Sequence, residues 1–414
     1  MRVLALGLAF LADSYLTNTL GLEKYDVWAS AASWLAILTV FTGLGMHTAM
    51  VRHLPADQAH NEFGLMHGMM RWTSRRMVGA GIAFGAALFG ARWLIAKEQE
   101  ELLMVLAVVA LMVPIQALNV HRQGVLQALK HPIACLLPDQ VVRPLTLILG
   151  IFAFVQIWGD PDPRHVAWLW LLSIGVALLV GIGLKIRFTP NEVRTAQPKF
   201  DGATWFATAK PLLFLHVAGM LISQADPAML GILGEPGQAG LFAVSNRIAL
   251  LLGFGLAAVN AIAAPLISQL HAKNERRQLQ KMLTLAAKGI ALFTIPAAIF
   301  IVFFGKWLLG LFGDEFPVAY PVLLWLVAGQ TVNALAGSVG FILTMTGYPA
   351  TAARIIWVAA IGKMILNLIL MPLWGALGAA IGTAIMLAFW NLWLWLEVRK
   401  KLQLEPTILA IFKK

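Results

Sequence analysis

Twelve apolar stretches, separated by short polar gaps, occupy nearly the whole sequence, at roughly 2–20, 27–51, 77–96, 102–127, 133–157, 165–184, 205–230, 240–269, 283–304, 319–345, 351–373 and 376–397. A helix of about 20 apolar residues crosses a hydrocarbon core about 30 Å thick. A backbone in lipid has to satisfy its own hydrogen bonds, so each stretch is predicted to be helical, and the period-two alternation of barrel strands is absent. The expected fold is all-α: a polytopic membrane protein with about twelve transmembrane helices in two six-helix lobes. The longest polar gap, 185–204, holds Pro190 and Pro198 and follows span six. It divides the chain into an N-terminal lobe (1–184), a cytoplasmic linker (185–204), a C-terminal lobe (205–397) and a basic cytoplasmic tail (398–414). Six spans per half put both halves the same way up, so their pseudo-twofold axis is expected along the membrane normal.

Charge orients this array. Of 31 Lys and Arg, 23 fall in one alternate set of gaps and termini, 5 in the other and 3 inside spans. Positive loops stay on the cytoplasmic side, so both termini are predicted to be cytoplasmic. Clusters such as Arg71, Arg75 and Arg76, the pair Arg122 and Lys130, the group Lys185, Arg187 and Arg194, and the terminal Lys413 and Lys414 are read as topology anchors at the headgroups. The outer gaps are short and often acidic: Glu23 and Asp26, Glu98 to Glu101, and Asp160 and Asp162. The net charge of +11 would suit nucleic acid, but the basic residues sit at span ends, where anionic lipid attracts them, so membrane lipids and not nucleic acid are the expected partners. With 59% hydrophobic residues and only 12% charged, no sizeable soluble domain remains. The single cysteine, Cys135, excludes an intramolecular disulfide and a cysteine metal site, and the nine histidines show no metal spacing. One of them, His216, lies within a span and either lines a cavity or is simply packed. The start, Met1-Arg2 followed by an apolar run that Asp13 interrupts, is read as a first span and not a cleaved signal.

The halves carry matching traces. Span four contains Gln116, Asn119 and Gln123; span ten contains Gln330, Asn333, Gly337 and Gly340. Both are the fourth span of their half, both begin Gln-x-x-Asn, and steps of three or four put these residues on one helix face. Asp13 precedes Leu20-Gly21 as Asp226 precedes Leu230-Gly231, and spans five and eleven each bury one cation, Arg143 and Lys363. Gly81-x3-Gly85 and Gly378-x3-Gly382 predict close helix approach.

Ionisable groups at membrane depth are costly and normally face a cavity or a partner. Asp139 and Arg143, at i and i+4, form either a self-neutralising local pair or part of a cavity. Arg247, beside Asn246, either snorkels outward or lines the same cavity. Lys363 shares a face with Asn367. Asp226-Pro227 is either a hinge and cation site or a helix-end residue. A guanidinium grips phosphate through a planar fork and an ammonium as a point charge. Arg143, Arg247, Lys363 and Asn246 are therefore the candidate ligands for a diphosphate-headed amphiphile. Asp13, Asp139 and Asp226 are candidate sites for a coupling H⁺ or Na⁺ or for gating. No cofactor or metal is expected, and Walker, nucleophile-elbow and dinucleotide signatures are absent, which argues against an enzyme.

The segments LGLEKYDVWASAASWLAILTVFTGLGMHTAMVR (20–52), DPAMLGILGEPGQAGLFAVSNRIALL from Asp226 onward, GQTVNALAGSVGFILTMTGYP (329–349) and NLILMPLWGALGAAIGTA (367–384) resemble polysaccharide flippases of the multidrug/oligosaccharidyl-lipid/polysaccharide (MOP) exporter superfamily, the Wzx-like O-antigen and exopolysaccharide transporters. The resemblance implies two lobes around a central cavity and alternating access. It implies movement of an undecaprenyl-diphosphate-linked oligosaccharide from the inner to the outer leaflet of a bacterial cytoplasmic membrane, alongside polymerase and chain-length proteins. By position, Arg247 matches a basic residue of the family's eighth helix and Asp226 an acidic residue late in its seventh. The chain departs from the family in its short stretch before span one, and twelve spans rather than fourteen argue against a peptidoglycan-precursor role. Two alternatives stand beside this reading: an ion-coupled multidrug or small-cation antiporter on the same fold, and a membrane glycosyl-polymerase or ligase. The latter generally needs a larger outer loop than any found here.

Overall fold

The computed structural model describes residues 2–96, 99–273 and 275–408; Glu98, Lys413 and Lys414 lie outside the described residues. The described chain is helical throughout, in the order α1 (Arg2–Gly43), α2 (Met46–Ala59), α3 (Phe63–Ala96), α4 (Glu100–Ala128), α5 (Pro132–Leu137), a π-helical turn (Pro138–Val142), α6 (Arg143–Trp158), α7 (Pro163–Phe188), α8 (Asn191–Thr195), α9 (Gly202–Leu233), α10 (Gln238–Leu250), α11 (Gly253–Ala272), α12 (Arg276–Gly310), a 3₁₀ turn (Phe316–Ala319), α13 (Tyr320–Leu335), α14 (Val339–Met345) and α15 (Pro349–Leu402).

Nine helical segments among the described residues are long and apolar enough to cross a membrane, and a pair bent by 49°, Gln238–Leu250 with Gly253–Asn260, forms one more. Two of the nine are double. In α1 at Gly21 (φ 72°) and in α15 at Gly375 (φ 52°) two helices abut without a loop across a kink, where only a residue without Cβ takes the positive-φ backbone easily. Counting each half separately gives the twelve predicted spans. Hydropathy places spans one and two, and eleven and twelve, around polar gaps; the structure joins each pair through a glycine kink. Asp26, expected in an outer gap, is consequently buried on the second half of α1. At Gly375 the kink frees the Ala376 N–H, which donates to Gln238 Oε1 at 2.7 Å, so the break is satisfied by a side chain from α10.

Span two, expected over 27–51, ends at Gly43. Leu44 (φ 49°) and Gly45 (φ 69°) break the helix, and the chain restarts as α2. A Cβ on Gly45 would collide with the α9 backbone at Ala209 and stand 2.7 Å from Leu213 N, so the turn is pressed directly against α9.

The chain forms two compact units, residues 1–232 and 233–414. The division falls one helix beyond the 185–204 segment, since α9 belongs with the first unit. In the first unit, methionines Met46, Met50, Met66, Met69 and Met77 pack into one cluster with Ala117, Val125 and Trp205; unbranched, flexible side chains fill the irregular spaces between α2, α3, α4 and α9. Gly81 and Gly85 press α3 onto α4: a Cβ on Gly81 would lie 2.8 Å from Pro114 Cα, and one on Gly85 2.6 Å from Ala110 O. The expected close approach is therefore present. Gly85→Val is expected to force these helices apart and cost about 1–3 kcal/mol, read as a lower unfolding temperature in detergent. Gly90→Val, which meets open space, is the control.

In the second unit, Gly378 abuts Leu370, and a Cβ on Gly382 would stand 3.1 Å from Asn367 Oδ1 across the kink of α15. The segment expected as a basic tail is partly built into this unit. Gln403, in the left-handed region, ends α15, and the residues after it fold back. Gln280 of α12 donates to Glu405 O and accepts from Glu405 N, both at 2.8 Å, while Trp395 Nε1 donates to Glu405 Oε1 at 2.7 Å. Leu404 and Thr407 are buried. This strap ties the start of α12 to the end of α15.

Candidate functional site

The polar stripe of span four is real and has a centre that the charge pattern misses. Arg122, expected to anchor at the headgroups, is 0% exposed, within α4. Its Nη2 pairs with Asp139 Oδ2 and donates to Asn119 Oδ1 at 3.3 Å, while Nη1 donates to Cys135 O at 3.2 Å. Gln123 Nε2 donates to the same Asp139 oxygen at 2.9 Å. Asn119 Nδ2 reaches Gln116 Oε1 at 3.5 Å. Four of these five side chains come from one face of α4. The fifth, Asp139, comes from the π turn after α5.

This network corrects the local reading of Asp139 and Arg143. The carboxylate is held by Arg122 and Gln123 from another helix, and no ion pair to Arg143 forms among the described residues. A π turn adds a residue to the helix and re-aims the side chains beyond it. Arg143 is the first residue past the turn, half-buried, and still feels the Asp139 charge. Gly181 of α7 makes room for the guanidinium of Arg122: a Cβ there would stand 2.7 Å from Cζ and closer still to Cδ and Nε. Asp13 is half-buried on α1 and Asp226 is 2% exposed on α9, in the same unit.

The second unit repeats the Gln-Asn arrangement. Asn333 Nδ2 donates to Gln330 Oε1 at 3.3 Å, as Asn119 does to Gln116. Here the outer partner of the asparagine is Asn391 of α15, whose Nδ2 donates to Asn333 Oδ1 at 3.0 Å. Interhelical hydrogen bonds of this kind contribute modestly in membranes. A double-mutant cycle of Asn333→Ala and Asn391→Ala is expected to give a coupling of about 0.6 kcal/mol, below 2 kcal/mol. A value of zero by thermal unfolding would remove the bond from the account.

Spans eight and ten are both broken near these residues. Span eight bends between α10 and α11, and Arg247 lies in the last turn of α10, with Asn246 beside it, both half-buried. A cation there faces the negative end of the helix dipole. Span ten breaks at Gly337 (φ 77°), and Ser338 donates to Asn260 Oδ1 of α11. Helix breaks at membrane depth are tolerated where protein or a water-filled cavity surrounds them. Lys363 on α15 is 2% exposed, and Asn367, one turn on, is fully buried. The helices α10, α13 and α15 that carry Arg247, Asn333 and Lys363 pack on one another. Of the sequence's candidates, Gln116, Asn119, Gln123 and Asp139 come together around Arg122, and Gln330 with Asn333 around Asn391. His216 is exposed, with Nε2 3.4 Å from Thr48 Oγ1. Among the described residues no group of three metal-binding side chains occurs.

The fold matches a solved lipid II flippase, MurJ in an inward closed conformation, with TM-score 0.77 and 15% identity over 96% of this chain and 86% of that one. It matches an inward-facing multidrug resistance MATE family transporter of the MOP superfamily with TM-score 0.78 and 15% identity, over 96% and 94%. The all-helical, two-lobe fold expected from the sequence is therefore one that this chain shares with these proteins.

The family model of the polysaccharide biosynthesis proteins matches residues 1–271, and the chain belongs to that family; the MatE model matches residues 211–370. A curated relative is the probable low-salt glycan biosynthesis flippase Agl15 of Haloferax volcanii, 27% identical over 252 residues, which are 60% of this chain and 51% of the relative. The chain thus spans about half the length of that relative.

Proposed function

We propose that this protein is a flippase. It moves an undecaprenyl-diphosphate-linked oligosaccharide from the inner to the outer leaflet of a bacterial cytoplasmic membrane by alternating access, without covalent chemistry and with both termini inside. The observation that carries the reading is the match of residues 1–271 to the polysaccharide biosynthesis family, in a chain whose span eleven also buries Lys363. An ionisable group at that depth commonly marks a functional position. Arg143 and Arg247 sit inside spans five and eight, and Arg143 makes no ion pair among the described residues. In a low-dielectric surrounding a buried cation attracts a diphosphate far more strongly than in water.

The coupling ion, H⁺ or Na⁺, acts on this reading at Asp13 and Asp226. Asp139 is committed to Arg122 and serves to shape the first unit. Polymerase and chain-length proteins are the expected partners downstream of the flipped product.

The rival on the same fold is a multidrug antiporter, to which the MatE match over 211–370 gives weight. Charge separates the two. Proteoliposomes containing the purified protein are expected to expose a fluorescent isoprenoid-diphosphate saccharide to an external quencher, and to leave a lipophilic cationic dye untransported under either a proton or a sodium gradient. Transport of the dye without the diphosphate lipid would reverse the assignment.

A further inference from the structure

Within the first unit α3, α4, α7 and α8 line an open cavity of about 480 Å³ on the side that the charge pattern assigns to the cytoplasm. His67, Arg71 and Arg75 project into it from one face of α3 at steps of four; His121 comes from α4, Lys185 from the last turn of α7 and Arg194 from α8. No Asp or Glu lines it. Two walls are fixed by side-chain bonds. His121 Nε2 lies 2.9 Å from Met70 O, and His67 Nδ1 lies 2.7 Å from Ala196 O; in each ring the named nitrogen carries the hydrogen and donates it, since a carbonyl only accepts.

The surrounding cations are treated differently. Lys199 pairs with Glu62 at 3.6 Å, Arg76 lies over Trp72 at 4.8 Å, and Arg122 is paired with Asp139. Among the described residues, Arg71, Arg75, Lys185 and Arg194 form no ion pair, yet they converge from three helices on one concavity. A topology anchor needs only to reach the headgroups singly. Convergence of four like charges without a carboxylate raises the local potential and is relieved by a bound anion. Guanidinium forks beside an ammonium match the oxygens of a phosphate.

We propose that this cavity binds a phosphate-bearing anion, at a site separate from the cations of spans five, eight and eleven, and that the anion ties α3 to α7 and α8. An anionic phospholipid headgroup and free pyrophosphate present the same chemistry, and the experiment has an arm for each. The full-length protein in neutral detergent is unfolded thermally with inorganic pyrophosphate, phosphatidylglycerol or phosphatidylcholine. A saturable rise in Tm is expected with at least one of the first two and none with phosphatidylcholine. A rise with phosphatidylglycerol alone assigns a lipid headgroup, and one with pyrophosphate assigns a free anion.

Pyrophosphate would also meet the deeper cations, so the response that counts is the part lost on substitution. Arg71→Gln/Arg75→Gln and, separately, Arg194→Gln on the short exposed α8 are each expected to weaken the apparent affinity about tenfold or more. Arg277→Gln, outside the cavity, leaves it unchanged. Should the double variant not fold, Arg194→Gln carries the comparison. Absence of any rise in the unaltered protein, or an equal rise in the unaltered protein and these variants, overturns the proposal. The readout is binding alone, so its failure leaves the transport reading standing, and a failure of transport leaves this site standing.

Discussion

Arg122→Met is expected to destabilise the first unit by about 3–5 kcal/mol, because it strands the Asp139 carboxylate without its partner inside a bundle. Thermal unfolding in detergent, or the monodisperse fraction after purification, reads the loss. The cost comes from the abandoned charge more than from the lost bond, so Arg122→Met/Asp139→Leu is expected to recover most of it: buried pairs replaced by apolar groups of similar volume are often neutral. Equal losses in the single and double variants would show that the pair is not the cause. Arg122→Lys does not substitute. The planar fork serves Asp139, Asn119 and Cys135 O at once, and an ammonium on a different stem cannot. Gly181→Leu tests the same arrangement from the other side, since its side chain would occupy the space of the guanidinium; it is expected to resemble Arg122→Met.

Neutralising the deep cations has the largest expected effect on transport. A hydrogen bond to a charged group is worth about 1.5–3 kcal/mol. Arg143→Gln, Arg247→Gln and Lys363→Gln are therefore each expected to slow flipping of the diphosphate-linked saccharide about ten- to hundredfold. The triple variant is expected to show none in proteoliposomes, although it inserts and purifies normally. Lys363→Arg keeps the charge and is expected to retain most activity. A correctly inserted triple variant flipping at the unaltered rate would sink the phosphate-cavity reading. The stability and transport experiments are separable: the first is read at Arg122 by unfolding, the second at the proposed substrate ligands by flipping.

Hydropathy makes the spans legible because each needs a full apolar helix, and the Gln-x-x-Asn echo between spans four and ten leads directly to two equivalent hydrogen bonds. Other features are hidden for identifiable reasons. Arg122 lies near a span end, where a charge count treats every cation as an anchor. Its partner Asp139 is seventeen positions away, across a turn, so no helical spacing links them. One signal is available: Arg122 is three residues past Asn119, on the stripe that the spacing picks out. The glycine kinks read as loops because Glu23 and Asp26, and the small residues around Gly375, lower the local hydropathy, although each kink joins its two helices without a loop. The strap from Gln403 to Thr407 has no apolar period at all. It is held by Gln280, Trp395 and Arg276, which only the folded unit brings within reach.

The π turn at Pro138–Val142 has a geometric corollary for everything downstream of it. One surplus residue in an α-helix rotates the remainder by about 100° around the axis. An unbroken helical wheel drawn through span five therefore assigns Arg143 and all of α6 to the wrong azimuth. Excising a single residue from that turn would swing the guanidinium roughly a quarter circle away from its present bearing while leaving composition and length almost untouched.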